Sequence, residues 1–201
     1  MYERVMYFID GENLVCRYQE MLGHGRQPLN AIKHERDVYV WHGDLMKGEP
    51  RGIMRVNYYT SAVGNDERIL RLNNELKEIS YSYQGPRYGV GGGRFSAGSR
   101  CETYTGFVFP CVFKKPSKSR KTRSVDINIT IDILHYSSIG NLDAVYLVSG
   151  DGDFLPLIRE VMRKGVRVYL LALSSGLNQH LPNSVDKYEC IDDRLFQPLN
   201  E

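Results

Sequence analysis

Long apolar runs are missing from this chain. Its 201 residues contain nothing near the roughly 20 consecutive apolar positions of a membrane span, and the longest stretches are of the kind Val168–Leu173. The opening Met1-Tyr2-Glu3-Arg4-Val5 passes straight into a strand-like run and lacks the layout of a signal peptide. Both absences point to a cytoplasmic protein with no membrane partner. An excess of one charge sign is missing too: 26 Lys+Arg against 24 Asp+Glu give +2, too little to mark the whole surface as a polyanion binder. Cysteine is scarce. Cys16, Cys101, Cys111 and Cys190 show no zinc-type close spacing, and the five histidines do not cluster with them. They read as four reduced thiols, with a Cys101–Cys111 bridge across a hairpin as the alternative.

What is present is a globular composition, 42% apolar and 25% charged, which excludes wholesale disorder. The length bounds the chain to one domain, with room for a sizeable insertion. The charge is unevenly spread. Residues 114–123 read KKPSKSRKTR, six basic and no acidic, leaving 20 basic and 24 acidic residues elsewhere. A mildly acidic body therefore carries a basic loop.

Met6-Tyr7-Phe8-Ile9, ending at Asp10, predicts a buried strand, and Gly11 to Leu22 a helix stopped by Gly23. Asp37 to Trp41 fits a strand or an amphipathic turn equally. Val56 to Thr60 is strand-like. Asn65 or Asp66 can cap a helix over 66–79, with Ile69, Leu72, Leu76 and Ile79 on one face. Six glycines in 85–98 leave no compact element there, and Phe107–Phe113, with Pro110 inside it, suggests an edge strand or hairpin arm. The region 80–123 thus reads as an insertion on a single domain, 1–201. Exposed aromatics such as Phe107–Phe113 offer a surface for a homodimer.

The final third predicts a strand at 144–148, a helix over 153–164 with Pro156 in its first turn, a strand at 166–173, a polar helix near 175–187 and a short strand at 188–191. Residues 125–133, VDINITIDI, alternate as a strand does. A strand there would need a parallel crossover of a dozen or more residues before Ala144, and Ser137–Asp143 is too short. The segment is therefore expected as a helix capped by Ser124 and buried on much of its circumference. Alternating strands and helices imply an α/β fold with a mostly parallel sheet covered on both faces.

Ligands of such sheets bind beyond the carboxyl ends of the strands. Asp10 ends the first strand, Asp151 and Asp153 follow the strand at 144–148, and Asp126 begins the intervening helix. Each alone has an ordinary explanation as a cap, a turn residue or a first-turn charge. If the two strands are neighbours, four carboxylates converge, and only a cation makes that cheap. Oxygen-only ligands select Mg²⁺ or Mn²⁺.

The same residues carry a resemblance. Phe8-Ile9-Asp10-Gly11-Glu12-Asn13, then Lys121 to Val125-Asp126 with Asp132, then Ser149-Gly150-Asp151-Gly152-Asp153-Phe154, resemble in order the motifs of the NYN domain, a branch of the PIN-like nuclease superfamily, and most closely its LabA-like group. The resemblance implies a PIN-like three-layer α/β/α sandwich and metal-dependent cleavage of RNA by a metal-activated water. It implies Asp10, Asp126, Asp151 and Asp153 as catalytic and metal ligands. Asn13 would orient Asp10 or contact a phosphate, and Ser149 would donate from behind the ligands. Asp132, about 240° around the helix from Asp126, ranks lower and is expected to act indirectly or to hold Lys121.

Arg87-Tyr88, Arg94-Phe95 and Arg100 lie among glycines ahead of Lys114, Lys115, Lys118, Arg120, Lys121 and Arg123. Aromatic faces stack on unpaired bases and cations meet phosphates, so this arm suits single-stranded RNA. Two rival readings remain: a non-catalytic RNA- or protein-binding regulator that keeps the fold, and a metal-dependent phosphoryl-transfer enzyme acting on a small molecule. The latter is disfavoured because no second Asp follows Asp10 by two residues.

Overall fold

The computed structural model describes residues 3–49, 51–85, 101–116 and 123–198. Arg94, Lys118, Arg120 and Lys121, expected to bind RNA, lie outside the described residues, as do Arg87-Tyr88, Phe95 and Arg100. The first strand, β1 (Arg4–Asp10), is buried on both faces from Val5 onward. Val5, Tyr7 and Ile9 enter one apolar cluster and Met6 and Phe8 the other, so its unbroken apolar run follows from its central place. Helix α1 (Gly11–Gly23) buries Leu14, Val15, Tyr18 and Met21 along one stripe. It runs one residue past the expected stop.

The connection that follows forms a hairpin, β2 (Lys33–Glu35) and β3 (Tyr39–Trp41), which settles Asp37–Trp41 as a turn leading into a strand. Val40 from this hairpin exchanges backbone bonds of 3.1 Å with the Tyr58 hydroxyl and closes one face of the core. Strand β4 (Gly52–Ala62) leads to α2 (Asp66–Lys77), capped by Asn65 and burying Leu72 and Leu76. Then come β5 (Ser80–Gly85), β6 (Glu102–Lys114), α3 (Arg123–Ser138), β7 (Ala144–Val148), α4 (Leu155–Arg163), β8 (Arg167–Ala172) and β9 (Lys187–Cys190).

Among the described residues seven strands form one sheet in the order β5-β6-β4-β1-β7-β8-β9. All neighbours are parallel except β5 with β6. Helices α1 and α2 cover one face, α3 and α4 the other, giving the three-layer α/β/α sandwich. Among the described residues no helix is long and apolar enough to cross a membrane.

Four expectations need correction. Of the two forms expected for Phe107–Phe113, β6 is the hairpin arm, antiparallel to β5, and is an inner strand and no edge; residues 80–85 and 102–114 belong to the sheet. Pro110 is tolerated because pairing with β5 ends at Phe107, so on that edge its missing N–H breaks no ladder. Helix α3 is a helix, yet it is buried only along Val125, Ile129, Ile133 and Ser137, while Ile127 and Ile131 are more than half exposed. Ser124 sits inside its first turn, its carbonyl accepting the Asn128 amide at 2.7 Å, and is no cap. No helix forms over 175–187. Side chains compete for the backbone there: Asp192 takes the Ser174 N–H at 2.9 Å, Asn178 takes that of His180 at 3.0 Å, and Pro182 opens only a short 3₁₀ turn, Pro182–Ser184.

Candidate active site at the carboxyl edge of the sheet

Strand β1 lies between β4 and β7, at the point where the chain's order across the sheet reverses. Such a switch point opens a crevice beyond the strand ends. Asp10 stands there, 1% exposed, as the last residue of β1 and the cap of α1. Its Oδ1 accepts the Asn13 backbone N–H at 3.0 Å, and its Oδ2 accepts the Ser149 hydroxyl at 2.9 Å. Burial above all, opposed by the Asn13 bond and aided by the charge of Asp126, brings its carboxyl up to a net value of about 7. The Ser149 bond pulls it down and Glu12 pushes it up.

Ser149 passes the connection on: its oxygen accepts the Asp151 N–H at 3.1 Å. Asp151 then accepts the Asp153 N–H at 3.0 Å and caps the 3₁₀ turn Gly152–Phe154. Asp153 itself is exposed. Asn13 does not orient Asp10 with its side chain. Its Oδ1 accepts the Gly150 N–H at 3.0 Å, so it anchors the acidic loop. The structure thus brings together Asp10, Asp126, Ser149 and the loop of Asp151. It sets Asp132 apart: that carboxylate accepts the Tyr59 hydroxyl at 2.6 Å, on the flank of α3 over β4. Lys121, its expected partner, lies outside the described residues. Among the described residues no three His, Cys, Asp or Glu side chains form a ready metal-holding group.

Two features escaped the reading of the sequence. Glu12 accepts the Ser61 hydroxyl and, at 3.4 Å, the Lys115 ammonium, and the side chains of this ion pair are 12% and 9% exposed. Lys115 was expected to face RNA and is instead buried beside Asp10's helix. Lys114 meets Asp66 at 2.8 Å on the surface, and Arg123 opens α3 exposed. The second feature is the segment after β8. The Asn178 N–H donates to the Gly150 carbonyl at 3.0 Å, and a Cβ at Gly152 would collide with the Asn178 amide. The acidic loop is therefore clamped between Asn13 and Asn178. Its glycines are the only sign of such close approach that the sequence offers.

The profile of the NYN domain family matches residues 4–192, and the chain belongs to that family. NYN domains are a branch of the PIN-like nucleases, which are phosphodiester-cleaving hydrolases. A solved protein of unknown function from Vibrio parahaemolyticus shares the fold, with 19% identity, 98% of this chain and 97% of that one covered, and a TM-score of 0.57. No curated protein matches.

Proposed function

We propose that this protein is a divalent-metal-dependent endoribonuclease that cleaves single-stranded RNA. The observation that carries this reading is Asp10: a carboxyl almost wholly buried, beside Asp126 and Glu12, and wired through Ser149 to the Asp151 loop. Carboxylates held against one another in low dielectric gain most from an incoming cation. Their donor chemistry is oxygen-only, which suits Mg²⁺ or Mn²⁺. Mg²⁺ typically uses one or two protein carboxylates and fills its shell with water and substrate phosphate, so the lack of a three-ligand cage among the described residues is compatible with it. Asp10 and Asp126 would hold the ion, with Asp151 next and Asp153 toward solvent. A bound dication supplies a Lewis acid and lowers the pKa of water in its shell.

The chain's own part is positioning. The Asn13 N–H and the Ser149 hydroxyl fix both oxygens of Asp10 before substrate arrives. Lys115 offsets Glu12 and lowers the repulsion on Asp10. Asn13 and Asn178 hold the loop that carries Asp151. Arg123, exposed at the start of α3, would offer counter-charge to the RNA backbone, whereas Lys115 is committed to Glu12. The test is cleavage of end-labelled single-stranded RNA with Mn²⁺ by the native protein and by an Asp10→Asn/Asp151→Asn variant. Equal cleavage by both overturns the proposal.

One observation favours a second reading, a non-catalytic RNA or protein binder on the same fold: no preassembled group of three metal ligands exists among the described residues. That reading expects RNA binding that is salt-sensitive, indifferent to metal and unaccompanied by cleavage.

A further inference from the structure

On the sheet face that carries α1, a cavity of about 260 Å³ lies beside β7, β8 and β9, bounded by Tyr146, Tyr169, Lys187 and Glu189 and walled by Gly48, Glu49 and Arg51 ahead of β4. It shares no residue with the carboxyl-edge site. Tyr146 and Tyr169 line it, and the buried Tyr7 continues their row behind it: Tyr7 stands opposite Tyr146, and Tyr146 opposite Tyr169. The first two rings stack at 4.5 Å, and the third meets Tyr146 edge-on at 4.9 Å.

Arg51 is only 8% exposed, yet among the described residues no carboxylate comes within ion-pair distance of it. Its Nε donates to the Glu49 carbonyl at 2.9 Å, and Nη1 and Nη2 find no protein acceptor among the described residues. The guanidinium lies 4.6 Å over the Tyr146 ring and 5.9 Å from that of Tyr7. A Cβ at Gly48 would collide with Nη2, so glycine there lets the loop pack against the charged plane and hold it in place. Nearby acids do not answer this charge: Glu189 is taken by Arg194, and Glu49 offers Arg51 only its backbone. The Tyr7 hydroxyl, fully buried and without a hydrogen-bond partner, sits within reach of the same field.

A nearly buried guanidinium is ordinarily paired, and one without a counter-ion that borders a cavity calls for an anion. Lys187, exposed on the lip, adds a second cation. The half-buried ring of Tyr169 offers a flat apolar wall. The volume lies just under the roughly 300 Å³ where small-ligand pockets begin, so the occupant is taken as no larger than one nucleotide. We propose that this cavity binds a nucleoside monophosphate, its phosphate at Arg51 and Lys187 and its base against Tyr169. The proposal stands apart from the nuclease reading.

The test is calorimetric titration of the full chain, with chelator present, using adenosine monophosphate, inorganic phosphate and adenosine in parallel. The nucleotide is expected to bind at least about tenfold more tightly than either fragment, because both halves of the cavity are used. Lys187→Met, on the surface, should weaken it about fivefold. Arg51→Met should abolish it, its thermal melt showing that it is folded; Asp10→Asn should leave it unchanged. Phosphate binding as tightly as the nucleotide, an indifferent Lys187→Met, or loss of binding in Asp10→Asn would each overturn the assignment. Displacement of the nucleotide by a short RNA would identify a strand as its source, and no displacement a free mononucleotide; either result keeps the site.

Discussion

The two ends of β1 treat a carboxylate in opposite ways. At the amino end, Asp143 accepts the Arg4 N–H, Nε and Nη2 at 2.8, 3.0 and 2.9 Å, and these bonds hold its carboxyl down to about 2. Glu3 alongside accepts from both Arg167 and Tyr169. At the carboxyl end, Asp10 is buried beside other acids and pushed up to about 7. One end spends its charges in exposed pairs that close the sheet. The other gathers acids around a buried carboxyl that its surroundings drive toward the protonated form. The second arrangement is the one that the proposed nuclease reading draws on.

The largest effect expected from breaking that contrast is on cleavage. Asp10→Asn or Asp151→Asn should lower the rate on single-stranded RNA by about 100-fold or more, measured by single-turnover kinetics with the folded state checked by circular dichroism. Gly152→Ala should follow, at about tenfold, because its Cβ drives into the Asn178 amide and shifts the loop of Asp151. Combining it with Asn178→Ala makes room and should return part of the activity. No return would show that the loop is not set by that contact.

The next effect is on stability. Asp10 has a folded pKa of about 7, above the unfolded value of about 4, so the folded state binds the extra proton between those limits. Its stabilising contribution is full below about pH 4 and is lost as pH rises through about 7. Without metal, the native protein should therefore lose up to about 4 kcal/mol relative to Asp10→Asn over that window, by urea titration. A flat difference between the two proteins would show that Asp10 is not held protonated. The smallest effect belongs to the opposite end: Arg4→Ala removes an exposed pair and should lower the melting temperature by no more than about 2 °C. High salt should shrink that difference further.

How far the sequence could be read followed the same division. Strands β1 and β7 announced themselves because both faces are buried, and Asp10, Ser149 and Asp151 follow directly from where those strands end. The helix at α3 emerged from connection length, against its own alternating pattern. Its exposed Ile127 and Ile131 could not be foreseen, since α3 packs on the sheet along one line only. The Glu12–Ser61–Lys115 contact joins three distant segments, and the register of β1, β4 and β6 that aligns them leaves no local trace. Asn178 was hidden because its segment has helix-like composition and its side-chain bonds won over the helix.

The strand order bears on how the molecule assembles. The middle strand precedes both of its neighbours in the chain, and its amino end closes against a residue 139 positions downstream. Until β7 has been synthesised, β1 has one flank exposed, and its apolar run is open to pairing with the wrong neighbour. Refolding from denaturant is accordingly expected to be slow for a chain of this size and prone to aggregation at high concentration, with the long-range pairing of β1 to β7 also being the step that draws Ser149 up to Asp10.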